Sequence, residues 1–450
     1  MKHTLALLPV LLALPVWTAP AKQPNSPPRV NFVVIMADDV SPEMYGCYGS
    51  KEAKTPNLDR LAREGVLFRT AWACALCLPT RAQIMTGNYA TRTGVWSNGF
   101  ATPREEGRPE LFKYFPSFAR LLKEAGYATA VAGKWHLGDA EPPHSPAVGF
   151  DEYSLWAGEK ELSSLPDQKR VEVAMENEET PSRYWQPSIV QNGGIYPSKP
   201  DEFGPDMETA FLCDFMERSV KAGKPFLAYL PSALVHGARN GMPTTPLYGK
   251  PGDNGSEDKQ ENARRFRAMN DYMDVLVGRL EQKVRDLGVY NHTVFIFTSD
   301  NGTASIAKSR GTERGCRVPL IAWGGPVKQR GSTDEITDLS DILPTLVDFA
   351  GAKLPAGVKV DGKSLKPFLT GATDTHREYI LSCIGGTRLV RTKTHLLEVV
   401  DSLLGVPRGR FYCCCDSYDG KGYQFYDETL PSPSENRSNE HKTPEIGGHR

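Results

Sequence analysis

Two apolar runs in this 450-residue chain end in acid. Asp38-Asp39 follows residues 30–37, and Asp300-Asn301 follows residues 292–298 and Ser299. Four oxygen-bearing side chains brought to one place suit a hard cation such as Ca²⁺ or Mg²⁺, which selects carboxylate and carbonyl oxygens. Single acidic residues beyond strands are commonly turn formers, but the repetition of the pattern favours a metal site. Between these pairs lies Cys77-Leu78-Pro79-Thr80-Arg81, which opens an apolar-periodic segment running to Met85 and Gly87. Pro79 reads as the first helical residue, since its fixed φ suits a helix start and its missing N–H costs nothing there. Cys77 is then expected at a helix N-terminus, where free N–H groups and the helix dipole favour an anion, with Arg81 about one turn further on. Alone, such a cysteine is more often a small buried hydrophobe. Basic side chains recur past other apolar runs: Lys134 and His136 in Gly133-Lys134-Trp135-His136-Leu137-Gly138, His236 after residues 225–230, and Lys308 in the loop before Leu320.

The elements that carry these residues follow from periodicity. Residues 30–37 and 292–298 are continuous apolar runs of strand length, as are 127–132 and 225–230, the mark of strands covered on both faces of a parallel sheet. Residues 66–68 and 320–323 add short strands. Helical patterns occupy 55–65, 117–125, 208–220, 262–287 and 338–349, several stopped by glycine. The expected fold is α/β, with a large, mostly parallel central sheet flanked by helices and a smaller C-terminal antiparallel subdomain. Its expected parts are a catalytic domain over 29–353, the subdomain over 355–431 and a polar tail over 432–450. In open α/β sheets ligands bind at the carboxyl edge, which is where the acidic pairs fall. Polar loops at 156–205 and 238–262 are expected on the substrate side, with Tyr184 and Trp185 at the pocket rim, a composition that favours polysaccharide.

Composition sets the remaining bounds. Lys plus Arg number 53 against 54 Asp plus Glu, a net charge of -1 that gives no support to a nucleic-acid partner. Residues 1–21 combine Lys2 and His3, an apolar run and a small-residue end at Ala19-Pro20-Ala21, the pattern of a secretory signal peptide. No other run is long enough to cross a bilayer, so an exported protein, periplasmic or secreted, without integral membrane association is expected. The nine cysteines suit an oxidising compartment, since eight remain if Cys77 is converted to another group. Adjacent side chains alternate direction in a strand, so Cys413-Cys414-Cys415 is expected to form disulfides or buried thiols rather than a metal site.

In order and approximate spacing, Asp38-Asp39, Cys77-x-Pro79-x-Arg81, Gly133 to Gly138, His236, Ser299-Asp300-Asn301-Gly302, and Lys308 with Arg317-Val318-Pro319 resemble the type I, formylglycine-dependent sulfatases of the alkaline-phosphatase-like superfamily, similar to secreted arylsulfatases. The resemblance implies a sulfuric ester hydrolase in which a maturation enzyme oxidises Cys77 to formylglycine (3-oxoalanine). It implies that Asp38, Asp39, Asp300 and Asn301, with the modified Cys77, hold one Ca²⁺ or Mg²⁺. Lys134, His236 and Lys308 would bind the sulfate, Arg81 would hold the aldehyde hydrate, and His136 would serve as base. Lys308 or His236 would act as general acid toward the leaving group. The implied substrate is a sulfated small molecule or glycan. A phosphodiesterase or phosphonate hydrolase of the same superfamily and a catalytically silent glycan-binding protein are the alternatives. Four departures stand out: Val235 and Gly237-Ala238 replace prolines common around the histidine, Arg314 stands where glycine is usual, Cys316 is unusual, and Thr80 stands where Ser or Ala is commoner.

Overall fold

The computed structural model describes residues 29–98, 111–137, 143–158, 174–175, 180–400, 409–414, 417 and 422–426. The expected signal peptide, Gly138, Cys415 and the polar tail lie outside them.

The fold is built on β1 (Asn31–Ala37), every residue of which is buried. Its side chains alternate between two cores: Phe32, Val34 and Met36 face one, while Val33, Ile35 and Ala37 face the other. That alternation explains why the run carries no polar positions, because each face of the strand meets a layer of helices. β1 lies mid-sheet, parallel to both β7 (Phe226–Pro231) and β8 (Thr293–Ser299). With β2 (Val66–Trp72), β3 (Ala128–Gly133), β4 (Glu152–Trp156), β5 (Ile189–Gln191), β6 (Gly194–Tyr196), β9 (Arg317–Gly324) and β10 (Gly331–Asp338), the ten strands run β10-β2-β9-β8-β1-β7-β3-β4-β5-β6. Strands β8 to β4 in that order are parallel, whereas β9 and the β5–β6 hairpin are antiparallel to their neighbours. The sheet is therefore mixed, with a parallel centre.

Helix α1 (Pro56–Glu64) covers one face of the sheet. α2 (Cys77–Thr86) and α3 (Phe118–Glu124) cover the other. α4 (Gly204–Lys221) and α5 (Lys259–Asp286) join the first layer, and α6 (Ile342–Phe349) the second. A second sheet, β11 (Tyr379–Ile384), β12 (Thr387–Thr392), β13 (His395–Val400), β14 (Arg410–Cys413) and β15 (Gln424–Tyr426), is wholly antiparallel. It docks through a small core in which Trp72, Ala75, Cys316 and Ile336 meet Ile380, Leu389 and Leu396.

The helix expected over 338–349 begins only at Ile342, and residues 331–338 form strand β10 instead, paired parallel to β2. The 208–220 and 262–287 helices are each longer at their N-terminal ends than expected, starting at Gly204 and Lys259. The described cysteines are free thiols: Cys413 ends β14, and Cys414 is buried against the Arg391 guanidinium. Among the described residues no helix is long and apolar enough to cross a membrane.

Candidate metal centre and anion site

Three parallel strands converge on one point of the carboxyl edge. β1 delivers Asp38 and Asp39, β8 delivers Asp300 and Asn301, and β7 leads through Leu234 to His236. Backbone hydrogen bonds lock the segments after β1 and β7 together: Asp38 N–H donates to Leu234 O at 2.7 Å and Val235 N–H to Asp38 O at 2.8 Å. A proline at 235 could not make the second bond. Asp39 adopts φ 61°, a left-handed conformation that aspartate tolerates, and its N–H donates to Asp300 Oδ1 at 3.1 Å.

Cys77 enters from the opposite side on α2. The helix starts at Cys77 itself, so Pro79 is the third helical residue rather than the first; the first four N–H groups of a helix lack internal partners, and proline costs nothing at any of them. Leu78 N–H finds its partner in Asn98 Oδ1 at 3.1 Å. Every residue of α2 is buried, and Gly87 closes it at φ 67°. Cys77 Sγ lies 3.7 Å from Asp38 Oδ1 and 3.8 Å from Asp39 Oδ1. Ligand atoms of Asp38, Asp39, Cys77 and Asp300 all lie within 4.8 Å of one another.

Three cations surround the three carboxylates. Arg81 Nη2 donates to Asp38 Oδ2 at 2.9 Å and Asp300 Oδ2 at 3.0 Å, and its Nη1 to Lys134 O at 2.6 Å. Lys134 Nζ sits 2.5 Å from Asp38 Oδ2, and Lys308 Nζ 2.7 Å from Asp39 Oδ1. His236 Nε2 is 3.6 Å from Asp39 Oδ2. The electrostatics split accordingly. Burial raises all three acids, but Lys134, with His236, Arg81 and Lys308, overrides it at Asp38 and holds that carboxyl well below its usual range. Burial and the charges of Asp38 and Asp300 push Asp39 up to about 6, and burial with Asp38 raises Asp300. Burial and the adjacent Asp300 charge keep the Cys77 thiol protonated, far from a reactive thiolate. Desolvation and Lys134 depress His136 to about 2 and His236 to about 3, so both imidazoles are held neutral.

A divalent cation fits this donor set. Asn301 donates its Nδ2 to Asp39 Oδ1 at 2.7 Å, which leaves its Oδ1 fully buried without a hydrogen bond among the described residues. An orphaned carbonyl oxygen beside mutually repelling carboxylates is what a hard cation satisfies.

All ten residues singled out in the sequence meet here except for His136, which is placed nearby: its left-handed φ of 53° follows Lys134 by two residues, and its Nδ1 has no hydrogen-bond partner among the described residues. Tyr184 and Trp185 are not at a rim. Both are buried, Tyr184 OH donating to Ala233 O at 2.8 Å and Trp185 Nε1 to Thr244 O at 3.1 Å, because indole and phenol rings of that size are worth more as anchors for a polar insertion than as exposed surface. Their neighbour Arg183 was not anticipated. It is buried, its guanidinium carbon stands 4.7 Å from the Trp156 ring centre, and its Nη1 stands 3.2 Å from His236 Nδ1. An arginine in a polar insertion carries no local signal of such a role.

Comparison with known proteins shows the family. The sulfatase family model matches residues 30–352. Human arylsulfatase A is 31% identical over 399 residues, covering 82% of this chain and 72% of its own. Pig N-acetylgalactosamine-6-sulfatase is 30% identical over 386 residues, covering 78% and 68%. The crystal structure of Ps i-CgsB in complex with k-i-k-neocarrahexaose superposes with a TM-score of 0.65 at 24% identity, covering 83% of this chain and 84% of that one, and so shares the fold. The chain belongs to the sulfatase family, whose members hydrolyse sulfate esters.

Proposed function

We propose that this protein hydrolyses sulfate monoesters of carbohydrate through an aldehyde hydrate made from Cys77. The observation that carries the reading is the burial of Cys77 against Asp38 and Asp39 as a protonated thiol, ringed by Arg81, Lys134 and Lys308. A neutral thiol there is a poor nucleophile, whereas a gem-diol on the same carbon has two hydroxyls with separate uses.

Asp38, Asp39, Asp300 and Asn301 would hold Ca²⁺ or Mg²⁺, which supplies charge stabilisation for the sulfate oxygens. Lys134 and Lys308 bind the same oxygens, and Arg81 orients the hydrate. One hydroxyl of residue 77 loses its proton to a neighbouring carboxylate and attacks sulfur as the S–O bond to the sugar breaks, and the departing alkoxide takes a proton from Lys308, or from His236 once that ring has been protonated. The remaining hydroxyl then loses its proton to His136, the carbonyl re-forms, and the C–O bond to sulfate breaks. A thiol or a serine at 77 lacks this second route. The catalytic domain over 29–353, the export by residues 1–21 and the glycan preference belong to the same reading. Support for the last is the name of the pig relative and the carbohydrate held by Ps i-CgsB.

The test is the mass of the tryptic peptide containing Cys77 after co-expression with a formylglycine-generating enzyme, paired with sulfate release from sulfated sugars. The aldehyde is lighter than the cysteine by about 18 Da, and its formation should track covalent turnover. An unmodified Cys77 in a fully active preparation overturns the mechanism.

A further inference from the structure

The loop that brings Lys308 to the carboxylates is held from outside the main sheet. Residues 302–312, between β8 and the single helical turn Glu313–Cys316, form neither helix nor strand. Ser309, directly after Lys308, takes a left-handed φ of 64°, and its N–H donates to Ala75 O at 2.8 Å, two residues before Cys77. A left-handed serine persists only where its surroundings impose it. The inner face of the second sheet supplies those surroundings. A Cβ on Gly311 would stand 2.6 Å from Thr387 Cγ2 on β12, so loop and sheet touch with no room for a side chain between them. Glu313 N–H donates to Glu398 Oε1 on β13 at 2.7 Å. Glu313 Oε1 lies 3.1 Å from Arg391 Nε on β12 and accepts from Trp72 Nε1 at 3.3 Å. Arg391 is wholly buried, and Glu313 is 5% exposed. At the far end of the turn, Ser382 Oγ on β11 accepts from Cys316 Sγ at 3.2 Å and donates to Ala73 O at 2.8 Å, in the segment that enters Cys77.

We propose that Arg391 is a positioning residue for Lys308: through its buried ion pair with Glu313 the second sheet fixes the turn 313–316, and with it the loop that holds the Lys308 ammonium in the site. The proposal rests on the role given to Lys308 in sulfate ester hydrolysis. Cohesion does not require the pair. Ile380, Leu389 and Leu396 already bury against Trp72 and Ile336. A buried ion pair is commonly no more stabilising than apolar side chains of the same volume, because desolvation offsets its attraction. What the pair adds is direction. The planar guanidinium meets Glu313 through Nε while its Nη1 is engaged by Cys414 and its carbon stands 5.1 Å from the Tyr423 ring centre, so the carboxylate is held at one angle. Lys308 needs such direction, since a displacement of about 1 Å at a reacting group can cost roughly a hundredfold in rate.

The test is a double-mutant cycle on full-length enzyme whose Cys77 has been converted. Arg391→Lys keeps the buried charge without the fork, and Arg391→Met combined with Glu313→Gln removes both charges, so neither variant leaves a lone buried ion. Each is made in the parent and in Lys308→Ala, and sulfate release from a sulfated sugar gives kcat and KM, with thermal melting alongside. In the parent both variants should lower kcat about tenfold with KM within about twofold. In Lys308→Ala the same changes should cost less than about twofold, because the group they position is gone. Equal fractional losses in the two backgrounds mean that Arg391 acts on the fold at large, and full kcat in both variants means that the pair positions nothing; either result overturns the proposal and leaves the sulfatase mechanism standing. Full activity of Lys308→Ala itself overturns the role of Lys308 in that mechanism and the proposal with it.

Discussion

Arg183 Nη1 stands 3.2 Å from His236 Nδ1, while the same ring nitrogen lies 2.7 Å from Gly237 O. One nitrogen cannot accept from a guanidinium and donate to a carbonyl at once, and the nearby Arg183 charge in either case helps hold the ring neutral. We expect Arg183→Met to lower kcat about tenfold, roughly 1.4 kcal/mol of transition-state stabilisation, with a smaller change in KM. Steady-state kinetics on a sulfated sugar, with thermal melting to confirm the fold, checks this. An unchanged kcat removes Arg183 from the control of His236.

Arg81 bridges Asp38 and Asp300 from a side chain that is 1% exposed. Removing one partner of such a network leaves uncompensated buried charge, so Arg81→Ala should destabilise the protein by about 3–5 kcal/mol as well as abolish turnover. Arg81→Lys should recover part of the stability and little of the activity, because one ammonium cannot reach Asp38, Asp300 and Lys134 O together. Urea denaturation of both variants decides the point, and equal stability of Arg81→Ala and the parent protein would refute the bridging role.

The sheet was legible because β1 and β8 are buried on both faces and therefore read as unbroken apolar runs ending in acid. The same rule hid β10, whose sequence Gly-Ser-Thr-Asp-Glu-Ile-Thr-Asp is polar because an edge strand keeps its outer half in water. Tyr184 and Trp185 were misplaced for a related reason: an aromatic pair in a polar insertion looks exposed until the tertiary partners Ala233 and Thr244 are known. Asp38, Asp39, Asp300 and Asn301 could be found by their position after strands. Arg183 reaches His236 across 53 residues with no periodicity to announce it.

The crowding of Asp38, Asp39 and Asp300 predicts a strong response to chelation. Exhaustive removal of divalent ions should abolish turnover and lower the melting temperature, since a ligand at a hundred times its Kd contributes about 2.7 kcal/mol to the native state. Readdition of Ca²⁺ or Mg²⁺ should restore both. Full activity in protein shown by elemental analysis to be free of divalent metal would exclude a metal role for the four residues.

Glu208, on α4, offers a pH test independent of the site. Its carboxyl is 1% exposed, Oε2 has no hydrogen-bond partner among the described residues, and burial pushes its pKa from 4.5 up to about 8. Between those values the native state holds a proton that the unfolded chain has lost, so stability falls as pH rises. The contribution is complete below pH 4.5 and gone above about 8, a span worth roughly 5 kcal/mol. Glu208→Gln keeps the shape without the titration, so the variant should lose less stability than the parent between pH 5.5 and 8.5. Denaturant unfolding of both proteins at the two pH values measures the difference, and parallel losses would mean that Glu208 is ionised in the native state at a cost the fold already meets.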